Sequence, residues 1–251
     1  MNDKLAPRKT TTIVTTGKGG EKAIVAGKPV VSSQTGKVRG GNSVDVVFVF
    51  DTTGSMDDKI SALLETCAQF VDEASKMQLD PQFALISFGD ISIQGGGDRI
   101  ETVVPPTGEI ERIKYGLTNI PRNNGFGNDG ESCLEAIQEA FRLQYRTGAV
   151  KVLVLITDEP ALQHHIRASE MTKNLAKREF LVFVVAPDEP YYREMATKNG
   201  GIWKQVGSNT DLSEILRMFG ELAKKVTQVA KEVHLLGRGS VKEYLKLKPP
   251  S

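Results

Sequence analysis

Asp51, Thr53 and Ser55 occupy alternate positions in the run Asp51-Thr52-Thr53-Gly54-Ser55-Met56, which directly follows the apolar stretch Val44-Asp45-Val46-Val47-Phe48-Val49-Phe50. Residues i and i+2 of an extended backbone share a side, so a strand turning into a helix here aims one carboxylate and two hydroxyls at a common point. Oxygen donors of this kind suit a hard cation. One or two carboxylates, neutral hydroxyls and room for water favour Mg²⁺, with Mn²⁺ next, and the lack of His and Cys in these loops argues against zinc or copper. Each residue also has an ordinary duty available: Ser55 can cap the helix that follows, and Asp51 can bind loop amides. Those duties explain the residues singly and not the joint pattern.

Two other oxygen-rich loops accompany the first. Thr157-Asp158-Glu159-Pro160 follows a second apolar run, and the Gly-rich segment 123–132 leads into a helical pattern. The elements that must position them are legible as alternating periodicities. Residues 44–50, 82–88, 151–156 and 181–186 are β-branched or aromatic-rich and read as buried strands, with short edge strands near 99–104 and 202–205. Helical spacing predicts helices over 59–77, 131–145, 165–177, 191–198 and about 211–233, the last with Ser208-x-x-Asp211 at its start. Strands alternating with helices mean an α/β fold with a mostly parallel sheet covered on both faces. In such sheets ligands bind beyond the carboxyl ends of the strands, which is where the three loops lie.

With these motifs in order, the chain resembles the von Willebrand factor type A domains. VDVVFVFDTTGSM over residues 44–56 is similar to their first strand and metal-binding loop, whose signature is DxSxS, with Thr53 in place of the more frequent Ser. Gly127-Asn128-Asp129-Gly130-Glu131-Ser132 resembles the Asp-bearing, intracellular form of their second motif, and Asp158 in VLVLITDEP matches their third. The resemblance covers about residues 43–225. It implies a Rossmann-like, doubly wound six-stranded sheet in the order 3-2-1-4-5-6 with one short antiparallel edge strand. It also implies a metal-ion-dependent adhesion site of Asp51, Thr53, Ser55, Asp129 and Asp158, holding Mg²⁺ or Mn²⁺ with one position open to an Asp or Glu carboxylate of a protein partner. The function expected from it is that of an adaptor or scaffold subunit in a larger assembly, without catalysis. Three carboxylates around a divalent cation leave a formal charge of −1, which favours the ion over an acidic partner when compared with a Thr-bearing site.

Composition sets the outer bounds. The 251 residues carry 39% hydrophobic side chains, enough for one large core. No apolar stretch approaches the roughly 20 residues of a membrane-spanning helix, and residues 1–10 are not followed by the apolar core of a secretory signal, so no membrane is expected and the default compartment is the cytoplasm. The net charge of +1 conceals an asymmetry. Residues 1–42 carry eight Lys/Arg against Asp3 and Glu21, a net +6; residues 224–251 carry seven against Glu232 and Glu243, a net +5; the remainder is −10. The chain thus divides into a basic extension (1–42), the main domain (43–225) and the end of the last helix with a basic tail (226–251). Solubility and attraction to the acidic body are the favoured reading of the ends, ahead of nucleic-acid contact, because no aromatic residue is interleaved in the first 42 positions. A phosphate loop at Gly17–Lys22 fails, since Ala23 stands where the pattern requires Ser or Thr.

The competing chemistry is phosphoryl transfer, in which Asp51 is a nucleophile beside Mg²⁺. That mechanism wants a second carboxylate two residues on, where this chain has Thr53. Cys67 and Cys133 read as buried thiols, His164 and His165 as surface residues, Asp57 and Asp58 as helix-start charges, Asp90 as a turn residue, and 95–97 as a flexible glycine connection.

Overall fold

The structure, a computed structural model, describes residues 42–92, 96–124, 130–207 and 210–249, with the side chains of Asp58, Cys67 and Ala68 outside that description. Strand β1 (Ser43–Asp51) leads through a 3-10 turn, Gly54–Met56, into α1 (Asp57–Lys76) and β2 (Asp80–Phe88). Then come β3 (Glu101–Thr107), α2 (Ile110–Thr118), α3 (Cys133–Ala140), β4 (Val150–Ile156), α4 (Ala168–Lys177) and β5 (Phe180–Ala186). Helix α5 (Pro190–Lys198), β6 (Trp203–Gln205), α6 (Leu212–Leu236) and α7 (Val241–Leu247) complete the order.

The six strands form one sheet, β3-β2-β1-β4-β5-β6, parallel except for β3. Burial on both faces makes the central strands apolar at nearly every position, as parallel sheets require. Val44, Val46, Phe48 and Phe50 of β1 join one core with α1, α2 and α6, while Val47 and Val49 join a second core with α3, α4 and α5. Phe48, Phe70 and Phe83 form an aromatic triangle with centroids 5.2–6.4 Å apart, which locks α1 over β1 and β2. Sequential winding reverses at β1, which lies between β2 and β4, so the crevice above β1 and β4 is the switch point of the sheet.

The sheet order and the antiparallel edge strand agree with what the resemblance implies, and each expected strand and helix is present within a few residues. Helix α3 stops at Ala140, short of the expected 145, because the chain tightens into 3-10 bonds from Arg142 and Leu143 and Tyr145 folds back to donate to the Ala140 carbonyl at 2.7 Å. Helix α4 starts at Ala168, whose N–H donates to Gln163 Oε1, leaving exposed His164 and His165 ahead of it. Asp211 caps α6 by accepting from the Glu214 amide; Ser208, the other expected partner, lies outside the described residues. Helices α2 and α7 are additions. Gly116 interrupts the pattern of α2, and it is needed there: a Cβ would lie 2.4 Å from Val104 Cγ2. Helix α7 buries Val241 and Tyr244 against α6; its Lys246 pairs with Glu243 at 2.6 Å, and Lys248, just past its end, pairs with Glu232 at 2.7 Å. No helix of the described residues is long and apolar enough to cross a membrane.

Candidate metal centre

Asp51 is the last residue of β1, and its side chain falls on the same face as Val47 and Val49, at the carboxyl end of the sheet. It is fully buried. Its Oδ1 accepts from the Thr53 amide at 3.0 Å and the Thr53 hydroxyl at 2.8 Å, and its Oδ2 accepts from the Thr157 hydroxyl at 2.8 Å. Every partner is neutral. Burial pushes the carboxyl up to about 6, against the downward pull of these hydrogen bonds, with a smaller upward contribution from Asp158.

Ser55 and Asp158 meet beside this group. The Ser55 hydroxyl donates to Asp158 Oδ1 at 2.9 Å, and Asp158 Oδ2 receives the ammonium of Lys59 at 3.0 Å. Lys59 also donates to the Ser55 carbonyl at 2.8 Å, one helical turn back, and its side chain is only 1% exposed. The structure therefore gathers Asp51, Thr53, Ser55 and Asp158 on one rim. Asp129, the fifth residue of the expected set, lies outside the described residues.

Neighbouring loops are fastened to this rim through backbone. Asn123 bonds Thr52 twice, amide to carbonyl at 3.0 Å and side chain to hydroxyl at 2.9 Å. A parallel bridge joins Glu131 to Ala161, with Glu131 N–H on the Pro160 carbonyl and Leu162 N–H on the Glu131 carbonyl, each at 2.9 Å. Gly130 makes this approach feasible: its φ is +152°, and a Cβ would sit 2.8 Å from the Pro160 oxygen. Asp90 serves its turn, accepting from the Ser92 amide at 2.7 Å, and Asp57 pairs with Arg122 at the start of α1. Cys133 is buried against Tyr192, and burial pushes its thiol up to about 12, which makes it an inert core residue. The side chain of Cys67 and residues 93–95 lie outside the description.

Sequence reasoning missed two residues that contact the site and one buried acid near it. Thr157 anchors Asp51, and a hydroxyl directly after the apolar run 152–156 was the signal for it. Lys59 stands four residues after Ser55, on the same side of a helix. Glu131 follows Asp129 by two positions, repeating the Asp51/Thr53 spacing. Glu131 is 4% exposed, its Oε2 has no hydrogen-bond partner among the described residues, and burial pushes its carboxyl up to about 9, helped by the charges of Asp51, Asp90, Asp98 and Glu159.

Among the described residues, no three His, Cys, Asp or Glu side chains are grouped so as to hold a metal by themselves. The donor set nonetheless fits a hard cation: two buried carboxylates, two hydroxyls and no nitrogen or sulfur ligand. Lys59 revises the charge balance drawn from the carboxylates alone, since one of the three is already compensated by an ammonium.

The model of the von Willebrand factor type A domain matches residues 45–217. A search of curated proteins gives no match. Among solved structures, proximal thread matrix protein 1 (PTMP1) from the mussel byssus is similar with a TM-score of 0.56 at 17% identity, over 74% of this chain and 49% of that one. The same mussel protein "with zinc occupied MIDAS motif" gives 0.54 at 18% identity, over 73% and 48%. Conserved hypothetical protein BatB from Bacteroides thetaiotaomicron gives 0.52 at 19% identity, over 75% of this chain and 99% of that one. The chain spans about half the length of the mussel structures, and at these identities the likeness is one of fold.

Proposed function

The chain belongs to the von Willebrand factor type A domain family, and from that premise we propose that it is a metal-dependent protein-binding module. Asp51, Thr53, Ser55, Asp129 and Asp158 hold Mg²⁺ or Mn²⁺, and the partner contributes an Asp or Glu carboxylate. The observation that carries this reading is the buried Asp51 carboxyl, met on both oxygens by neutral donors alone at the switch point of the sheet. A buried carboxylate ordinarily finds a cation. When bound, a divalent ion whose protein ligands do not saturate it supplies Lewis acidity for one incoming oxygen. The chain's own part is to fix the oxygens: Thr157 and the Thr53 amide orient Asp51, and Lys59 with Ser55 orients Asp158.

The module works without catalysis. In support, the position two residues after Asp51, where phosphoryl transfer needs a general acid, carries a threonine whose hydroxyl donates to Asp51 itself. Turnover of a generic phosphomonoester that Asp51→Asn abolishes would overturn this part. We place the protein in the cytoplasm as an adaptor or scaffold subunit. The pairing of Lys246 and Lys248 with the chain's own acids supports reading the C-terminal charge as structural rather than as a nucleic-acid contact.

The test is a thermal melt of wild type and Asp51→Ala, each in EDTA and in excess Mg²⁺ or Mn²⁺. A ligand at about 100 times its dissociation constant stabilises by about 2.7 kcal/mol, equivalent to roughly 5–10 °C for a domain of this size. A shift of that order in wild type alone supports the reading; no shift in either protein overturns it. With the metal site established, an array of Asp- and Glu-bearing peptides probed with and without EDTA identifies the partner chemistry.

A further inference from the structure

The end of the sheet opposite the acidic rim carries charge of the other sign. At the amino ends of β4 and β5 lies a cavity of about 460 Å³. Three segments frame it: the turn Thr147-Gly148-Ala149 ahead of β4, the end of α4 with Lys177-Arg178-Glu179, and Gly239 between α6 and α7. Four cations line it, Arg146, Lys151, Lys177 and Arg178, against one acid, Glu179. Arg146 is spent on Asp45 and Asp80. The other three make no ion pair among the described residues. Two of them are held in place by what they touch. The Lys151 ammonium donates to the Arg178 carbonyl and lies 5.2 Å from the centroid of the Phe180 ring, while the Arg178 guanidinium lies 4.5 Å from that of Phe141. An ammonium has three protons, so Lys151 keeps two donors for another acceptor. Burial lowers the pKa of Lys151; Glu179 pulls it up and Arg178 pushes it further down. The Glu179 carboxylate already accepts from the Ser240 hydroxyl at 2.7 Å. Cations here also offset the negative pole of α4. That duty uses one proton of Lys151 and the placement of Lys177, and it leaves a concave cluster with a net charge of +2 once Glu179 is counted.

We propose that this cavity binds a small phosphate-bearing ligand, with Lys151, Lys177 and Arg178 donating to the phosphate oxygens. A phosphate carries close to two negative charges at neutral pH and offers three acceptor oxygens, which matches the charge of the cluster; a single carboxylate would leave half of it uncompensated. The planar guanidinium of Arg178 suits two phosphate oxygens at once, and the lysines act as point charges. The volume falls in the range of small-molecule sites and exceeds what a bare phosphate fills, so the ligand has a body beyond its phosphate. The site stands independently of the metal-binding reading, at the other end of the strands.

The experiment titrates the full chain by calorimetry with pyrophosphate, ribose 5-phosphate and ribose, in EDTA and at fixed ionic strength. The same titrations are run on Lys151→Gln, Lys177→Gln and Arg178→Gln, with Lys204→Gln on β6 as a control for surface charge. The expected result is saturable one-to-one binding of the two phosphates and none of ribose. Each of the three cavity variants should weaken binding about tenfold or more, and Lys204→Gln should leave it unchanged. The tighter of the two phosphates tells whether the site takes an inorganic or an organic ligand. Melts check that each variant is folded; if Lys151→Gln fails, the variants of the exposed Lys177 and Arg178 decide the question. No saturable binding by wild type overturns the proposal, and so does affinity unchanged in the cavity variants. Ribose binding as tightly as its phosphate also overturns it. An equal loss in Lys204→Gln does the same, because the attraction would then be general and not seated in this cavity.

Discussion

Strand β1 carries two buried carboxylates on one face, Asp45 near its start and Asp51 at its end, six residues and about 20 Å apart. Asp45 is completed by the chain itself. Arg146 reaches it with its backbone N–H and its guanidinium at 2.7 Å, and the same guanidinium holds Asp80 and the carbonyls of Val44 and Asp80. Asp51 is just as buried but meets hydroxyls and one amide, with no charge opposite. Asp158 is intermediate, with a lysine on one oxygen and a serine on the other. The comparison separates a carboxylate matched by a cation of its own chain from one met only by neutral donors. Burial alone does not distinguish them; the charge of the partner does.

The largest effect should come from the base of the sheet. Arg146→Met leaves two carboxylates without their cation and is expected to cost about 3–5 kcal/mol, a fall in melting temperature of roughly 6–20 °C that is the same in EDTA and in Mg²⁺. Lys59→Met orphans only Asp158, so we expect a loss of about 3 kcal/mol in EDTA, partly restored by saturating Mg²⁺ because the ion can replace the missing charge. A loss that Mg²⁺ does not touch would place Lys59 with the structural cations of the base. Asp51→Asn should leave the metal-free melt unchanged or raised, since it removes a desolvated charge, and should erase the metal-dependent rise of roughly 5–10 °C. If Asp51→Asn proves as damaging in EDTA as Arg146→Met, the distinction between the two ends collapses.

The smallest effect concerns pH. His234 on α6 bonds the Ser43 carbonyl through Nε2 at 2.8 Å, and burial holds its imidazole below the usual 6.5. The unfolded chain therefore takes up a proton before the folded one does. Stability is whole above pH 6.5 and falls as pH drops through the folded value. Melts of wild type and His234→Gln between pH 5 and 8 should converge at the acid end, with no dependence on metal.

Much of this was legible in the sequence because the strongest physical constraint on a parallel sheet, burial on both faces, writes itself as apolar runs. The strands and their order followed from those runs and from the resemblance. The rim was legible where its chemistry lies in consecutive alternation, as at Asp51, Thr53 and Ser55. Lys59 and Thr157 were not legible because their roles depend on partners about 100 residues away, Asp158 and Asp51. Glu131 was passed over because its burial, which the sequence does not display, is what sets it apart from the other acids of its loop. Helix α2 escaped because Gly116, poor for a helix, is required by its contact with Val104. Its apolar residues Ile110, Ile113 and Leu117 did keep helical spacing.

The central pairing of β1 with β4 also joins parts of the chain that are far apart in sequence. Thr157 and Asp158 reach the first loop only across a sequence separation of more than 100 residues. Closing so long a loop is slow, and the rim exists only once it has closed. A cation bound there, as proposed above, would act on the rate of unfolding rather than of folding. Metal occupancy would then mark a finished domain, and a partner that requires the ion would be restricted to molecules that have completed their sheet.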